Sequence, residues 1–108
     1  MTIQLQPARR HDPDAILDYA VDWADWLAEA SGDTLSSCTW TVTGGTATLA
    51  NAATGGTPAT SHAGTLTGTQ ARIYVRSASP GPVTLRCRVT STAGRVDDRS
   101  VVLLVTDR

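Results

Sequence analysis

The sequence predicts an all-β fold: an immunoglobulin-like β-sandwich of six to seven short antiparallel strands behind an extended N-terminal arm. Three observations lead there. Thr is the commonest residue, and much of it lies between apolar residues. Thr and Val are stiff at χ1 and suit a pleated, half-buried surface better than a helix. Gly pairs at Gly44-Gly45 and Gly55-Gly56 mark turns, and period-2 alternation recurs after residue 34. At 108 residues the chain has room for one domain. A chain of this size buries about two-thirds of its unfolded surface, enough for one core without staples.

The first element is the arm, residues 1–12. It holds Pro7, the pair Arg9-Arg10 and His11, with little apolar content. The sandwich is expected over 13–108. Its first segment, 13–30, carries two conflicting periods. Asp12-Pro13-Asp14 is a helix start: an N-cap acid, Pro at the first helical position, and an acid in the first turn. Ile16, Tyr19, Ala20, Trp23 and Leu27 then follow helical spacing. Leu17, Tyr19, Val21 and Trp23 also alternate with Asp18, Ala20, Asp22 and Ala24, which is a strand pattern. Residue spacing alone leans to the helix.

After residue 34 the pattern is one-sided. Ser37 to Thr43 places Cys38, Trp40 and Val42 on one face and Thr39 and Thr41 on the other. Thr46 to Ala50 reads as a short strand, and the small, Gly-rich residues 51–70 as a long loop or ragged edge. Ala71 to Arg76 alternates Ile73 and Val75 with Arg72, Tyr74 and Arg76. Ser79-Pro80-Gly81-Pro82 is a turn. Val83 to Thr90 is the clearest strand, with Val83, Leu85, Cys87 and Val89 inward. Ser91 to Arg95 is a hairpin loop, and Val96 to Thr106 closes the chain. The run Val101-Val102-Leu103-Leu104-Val105 is apolar on both faces. A one-sided sandwich strand should alternate. Val102 and Leu104 are therefore covered, or offered to a partner.

Charge is laid out unevenly. Residues 1–33 hold seven acids and two Arg, net −5, and residues 34–108 hold seven Arg and three Asp, net +4, which together give the net −1 of the chain. Such ends complement each other within a molecule or between neighbours in an assembly. The domain is not basic overall, which argues against nucleic-acid binding. No run approaches the roughly 20 apolar residues of a membrane span, and the N-terminus has neither the charged nor the apolar region of a signal peptide. The chain is expected in the cytoplasm before assembly.

Chemistry-bearing residues are sparse. His11 and His62 lack Cys or acidic companions at ligand spacing. No glycine pair is followed by the Lys-Ser/Thr of a phosphate loop. No catalytic, metal or cofactor site is expected, and the chain is not read as an enzyme. Cys38 and Cys87 invite an inter-strand disulfide, but a reducing compartment favours two buried free thiols. Asp97-Asp98 lies between Arg95 and Arg99. Adjacent strand residues face opposite ways, so the expectation is two Arg–Asp pairs pinning the hairpin register, one on each face. Trp40 shares the inward phase of Cys38, whereas Trp26 is the ring expected at the surface, where exposed Trp residues mark binding hot spots.

Several blocks taken together resemble the phage fibre–tail adaptor proteins of tailed bacteriophages. They are residues 12–23 (Asp-Pro-Asp-Ala-Ile-Leu-Asp-Tyr-Ala-Val-Asp-Trp), Trp26-Leu27, Gly32-Asp33-Thr34-Leu35, residues 37–42 and residues 90–100. The resemblance runs from about residue 11 to the end and is weakest over 44–70. It implies an immunoglobulin-like fold and a virion structural role joining the tail or baseplate to the fibre, in several symmetry-related copies. It implies no catalytic residues. It also moves residues 17–23 toward a strand. The partner-binding candidates are then Arg9, Arg10 and His11 of the arm, Trp26, Val102 and Leu104. Cys38, Trp40, Cys87, Arg95, Asp97, Asp98 and Arg99 are read as structural. The rival readings are a capsid decoration or head-to-tail connector protein, and a carbohydrate-binding module displayed on the particle.

Overall fold

The computed structural model describes the backbone of residues 9–11 and the whole of residues 15–106. Its elements are β1 (Arg9–His11), β2 (Leu17–Asp22), α1 (Ala24–Ala28), β3 (Leu35–Gly44), β4 (Ala47–Ala50), β5 (Ser61–Ala63), β6 (Thr65–Thr67), β7 (Gln70–Ala78), β8 (Gly81–Ser91) and β9 (Val96–Val105). They form an all-β sandwich. One sheet has the order β1-β9-β8-β3-β5, the other β2-β7-β4, with β6 also on β7. Among the described residues there are nine strands against the six or seven expected, because β1, β5 and β6 are three-residue strands.

The long strands follow their alternation. Val83, Leu85, Cys87 and Val89 of β8 are buried, and so are Cys38 and Trp40 of β3, where Trp40 lies opposite Cys87 and Cys38 opposite Val89. Across the sandwich, Ala71, Ile73 and Val75 of β7 and Tyr19 and Val21 of β2 complete the core. Each buried Val, Leu or Ile among them stabilises by roughly 1.5–3 kcal/mol on burial.

The two-period segment resolves into a strand followed by one helical turn. β2 runs antiparallel to β7, with Tyr19 opposite Ile73 and Val21 opposite Ala71. Pairing with β7 puts Tyr19, Val21 and Trp23 on the core side, which the helical spacing of Ile16 and Ala20 could not do. Ile16 is instead exposed. The helix proper is only Ala24–Ala28, with Trp26 and Leu27 buried. Asp22 Oδ1 anchors its entrance, accepting from the Ala24 N–H at 2.9 Å and from the Thr69 hydroxyl at 2.8 Å. The proposed helix start at residues 12–14 lies outside the described residues.

The expected loop over 51–70 is shorter than its composition suggested. Residues 51–58 form the loop, tied down by Arg76, whose Nη1 donates to the carbonyls of Gly55 (2.9 Å) and Ala52 (3.3 Å). Then β5 pairs with β3 in one sheet, and β6, one residue later, pairs with β7 in the other. The chain crosses the sandwich at Gly64. A Cβ there would strike the Arg72 carbonyl oxygen and sit 2.8 Å from both Cys38 Sγ and Trp40 Cδ1. Only glycine fits.

Part of the expected arm is also structured. Arg9–His11 pair in parallel with Leu103–Val105 of β9. Residues 1–8 and 12 of that arm lie outside the described residues.

Candidate interaction surfaces

The blocks at 22–35 and 90–100 meet at one end of the sandwich. Asp33 is their centre, with a side chain only 2% exposed. Its Oδ1 accepts from the N–H of Thr34 (3.0 Å), the hydroxyl of Thr92 (3.1 Å) and the N–H of Ala93 (3.1 Å). Its Oδ2 accepts from Arg95 Nε at 2.9 Å. Desolvation opposes ionisation of this carboxyl, but the hydrogen bonds from Ser91, Arg95, Ala93 and Thr92 outweigh it and hold its pKa well below the ordinary 3.8. Ionised Asp33 therefore stabilises the fold above pH 3.8, and that stabilisation is lost as the pH falls below it toward the lower folded-state value. Asp33→Asn is expected to lower the melting temperature at neutral pH and to flatten its fall between pH 5 and about 2. Thermal melts over that range test this, and an acid limb identical to wild type would remove Asp33 from the role.

The local Arg–Asp pairs expected in the hairpin do not form. Arg95 goes to Asp33, 62 positions away, and its Nη2 donates to the Trp26 carbonyl at 3.2 Å. Asp98 accepts from Arg88 on the neighbouring strand at 3.1 Å. Asp97 Oδ1 accepts from the Asp98 N–H at 2.8 Å. Arg99 donates to the Asp22 carbonyl at 3.0 Å and lies over the Trp23 ring at 4.3 Å. Charge adjacency loses here because each guanidinium finds both an acceptor and an aromatic face across the end of the sandwich, or a carboxylate in register.

Trp26 is corrected as well. It is 5% exposed, not at the surface. Arg95 covers its face at 4.2 Å, and Trp23 meets it edge-on with ring centroids 5.3 Å apart. A one-turn helix with no side-chain cap turned the ring inward, which residue spacing could not show. The indole N–H groups of Trp23 and Trp40 lack a hydrogen-bonding partner of good geometry. Each instead lies near a thiol, Trp23 by Cys87 and Trp40 by Cys38. Both cysteines are free and buried. Burial raises both thiol pKa values, that of Cys87 to about 12, which disfavours the thiolate form of each.

The exposed surface offers more. In β9, Val101, Leu103 and Val105 face the core, Val102 is half-buried and Leu104 is 42% exposed. The apolar row is thus turned outward, beside exposed Pro82, the register partner of Leu104. The far edge of β9 is paired only at Leu103–Val105, by β1. Among the described residues its stretch from Val96 to Val102 has no neighbouring strand on that side. Arg9, Arg10 and His11 run along the same edge, and their side chains lie outside the described residues. The outer face of that sheet is otherwise hydroxyl-rich, with Thr39 and Thr41 on β3 and Ser100 on β9 around Arg86 and Arg88. On the other sheet Arg72 pairs with Asp18 at 2.8 Å. The outward strand phase could have suggested this last pair; Gly64 gave no sequence signal beyond its composition.

Comparison with known proteins gives one family. The family model described as "Podophage GP4 fiber-tail adaptor protein gp77" matches residues 11–104. No curated protein matches the sequence.

Proposed function

This chain belongs to the podophage GP4 fiber-tail adaptor family, and from that premise we propose how its sandwich makes the joint. The protein is a virion structural protein of the phage tail and connects the tail to its fibre. The free edge of β9 and its outward apolar row take a strand of a tail or fibre protein. The observation that carries this is the outward placement of Val96 and Val102 on the stretch of β9 that β1 leaves unpaired, with Leu104 on the same face beside Arg10 of β1. An added strand gains main-chain hydrogen bonds, and the apolar row supplies the specificity. Unprotected edges are otherwise a hazard that folds blunt with charge or bulges.

The order β9-β8-β3 opposite β2-β7-β4 supports an immunoglobulin-like reading of the sandwich. Several copies around the tail axis, made in the host cytoplasm, without catalysis, nucleic acid or membrane, belong to the same proposal. No helix among the described residues is long and apolar enough to cross a membrane. The sugar-binding alternative loses its only candidate ring, because Trp26 is buried under Arg95.

Leu104→Arg and Val102→Arg test the edge. Both positions face away from the core, so melting should shift by little, within about 0.5 kcal/mol. Virions carrying either variant should lose their fibres in electron micrographs. Fully fibred tails would show that the partner binds elsewhere.

A further inference from the structure

We infer that Arg86 is the receptor for a carboxylate of a second copy of this chain, supplied by the acidic turn at Asp25 and Glu29. The arginines with described side chains are otherwise all engaged. Arg72 holds Asp18, Arg88 holds Asp98, and Arg95 holds Asp33. Arg76 donates to two loop carbonyls, and Arg99 to the Asp22 carbonyl. Arg86 alone among them has no acceptor, and its Nε is buried without a partner. That Nε is closed to an incoming group, so a partner meets the guanidinium at its Nη atoms, which are open to the surface and have no acceptor among the described residues; a carboxylate is the acceptor that suits them.

The surroundings say what fits. Arg86 projects from β8, the middle strand of the five-stranded sheet, between Thr41 on β3 and Ser100 on β9. The one acid described on this face, Asp98, is already taken by Arg88. The face is therefore a positive point ringed by hydroxyls, and a carboxylate is its complement. The same chain carries such carboxylates elsewhere. Asp25 lies in the first turn of α1 and Glu29 caps its end, both exposed and neither in an ion pair. They cannot serve Arg86 within one molecule. α1 follows β2 of the opposite sheet and packs on Arg95 at the hairpin end, whereas Arg86 points away from that sheet.

Two unlike patches on one chain make a heterologous contact, and repetition of such a contact closes into a ring when the rotation allows. A ring would suit an adaptor around a tail axis, but the inference rests on the pairing of the patches and stands or falls without the tail. The test accordingly uses the isolated full chain. Sedimentation velocity over a dilution series at low salt is compared for wild type, Arg86→Glu, Asp25→Arg/Glu29→Arg, and the three changes combined. Wild type should self-associate, and added salt should weaken it. Arg86→Glu and the acidic double variant should each weaken association about thirtyfold or more, the scale for losing one partner of a desolvated charge pair. The combined variant should restore it, because every contact is then reversed in sign. A wild-type chain monomeric throughout, single-patch variants that associate like wild type, or a combined variant no better than its parents would each overturn the inference. If Arg86→Glu melts early, Arg86→Gln and the double variant at exposed positions carry the same comparison. Fibre loss in virions reports separately on the β9 edge, so the two readings fail independently.

Discussion

Gly64→Ala is expected to destabilise the chain by about 3 kcal/mol or more, the upper part of the range for forced overpacking. That is a large share of the roughly 5–15 kcal/mol that holds a domain of this kind folded. The reason is the identity of the neighbours. The new Cβ would meet the Arg72 carbonyl, Cys38 Sγ and Trp40 Cδ1 at once. The carbonyl is backbone of β7, fixed between β2 on one side and β6 on the other. The Trp40 ring is fully buried and has no room to turn aside. Relief would require the crossing from β5 to β6 to come apart. Gly55→Ala is the control: its φ is +78°, so alanine is strained there, but nothing lies within 4 Å. It should cost about 1–2 kcal/mol, the price of a left-handed residue with a side chain. Urea unfolding midpoints compare the two. Equal midpoints for Gly64→Ala and wild type would mean that the sheets are not tied at this crossing.

Trp23→Ala is expected to cost about 3–5 kcal/mol, the usual scale for truncating a buried aromatic ring. Trp23 is completely buried and holds three parts together. Its ring meets Trp26 of α1 edge-on, takes the Arg99 guanidinium on its face, and lies against Cys87. Its backbone N–H donates to the Thr69 carbonyl at 2.8 Å and survives the substitution. The loss is therefore packing plus an aromatic pair worth about 0.5–1.5 kcal/mol. Trp23→Phe keeps a ring and removes an indole N–H that lacks a good acceptor, so it should retain more than half of that stability. Denaturant unfolding of both variants measures this. A Phe variant as unstable as the Ala variant would mean that the indole N–H contributes more than the ring.

How far the sequence disclosed this molecule depends on where the deciding contacts lie. β8 was legible because its inward residues and outward Thr and Arg alternate over eight positions, with two neighbours in register. β2 was not, because Tyr19 and Trp23 satisfy both a period of 3.6 and a period of 2. Only pairing with β7 separates these, and the resemblance to a family substituted for that knowledge. β5 and β6 were hidden because Ser61–Ala63 and Thr65–Thr67 bury little; they are strands through their pairing with β3 and β7. The role of Arg95 was misread for the opposite reason. Asp97 is near in sequence, whereas Asp33 becomes near only after folding. The outward row of Val102 and Leu104 was visible as a strand too apolar to stand alone. The unmatched guanidinium of Arg86 was not, since it shows only after every other arginine has found its acceptor.

The parallel pairing of β1 with β9 has a mechanical consequence. Arg9 lies beside Leu103 and His11 beside Val105, so both strands point the same way at that edge. Tension applied between the start of β1 and the end of β9 pulls them past each other along their length. The hydrogen bonds between them then bear the load together, in shear, instead of opening one after another as a zipper would. A joint loaded between those two points would resist force through that geometry, with no added contact area.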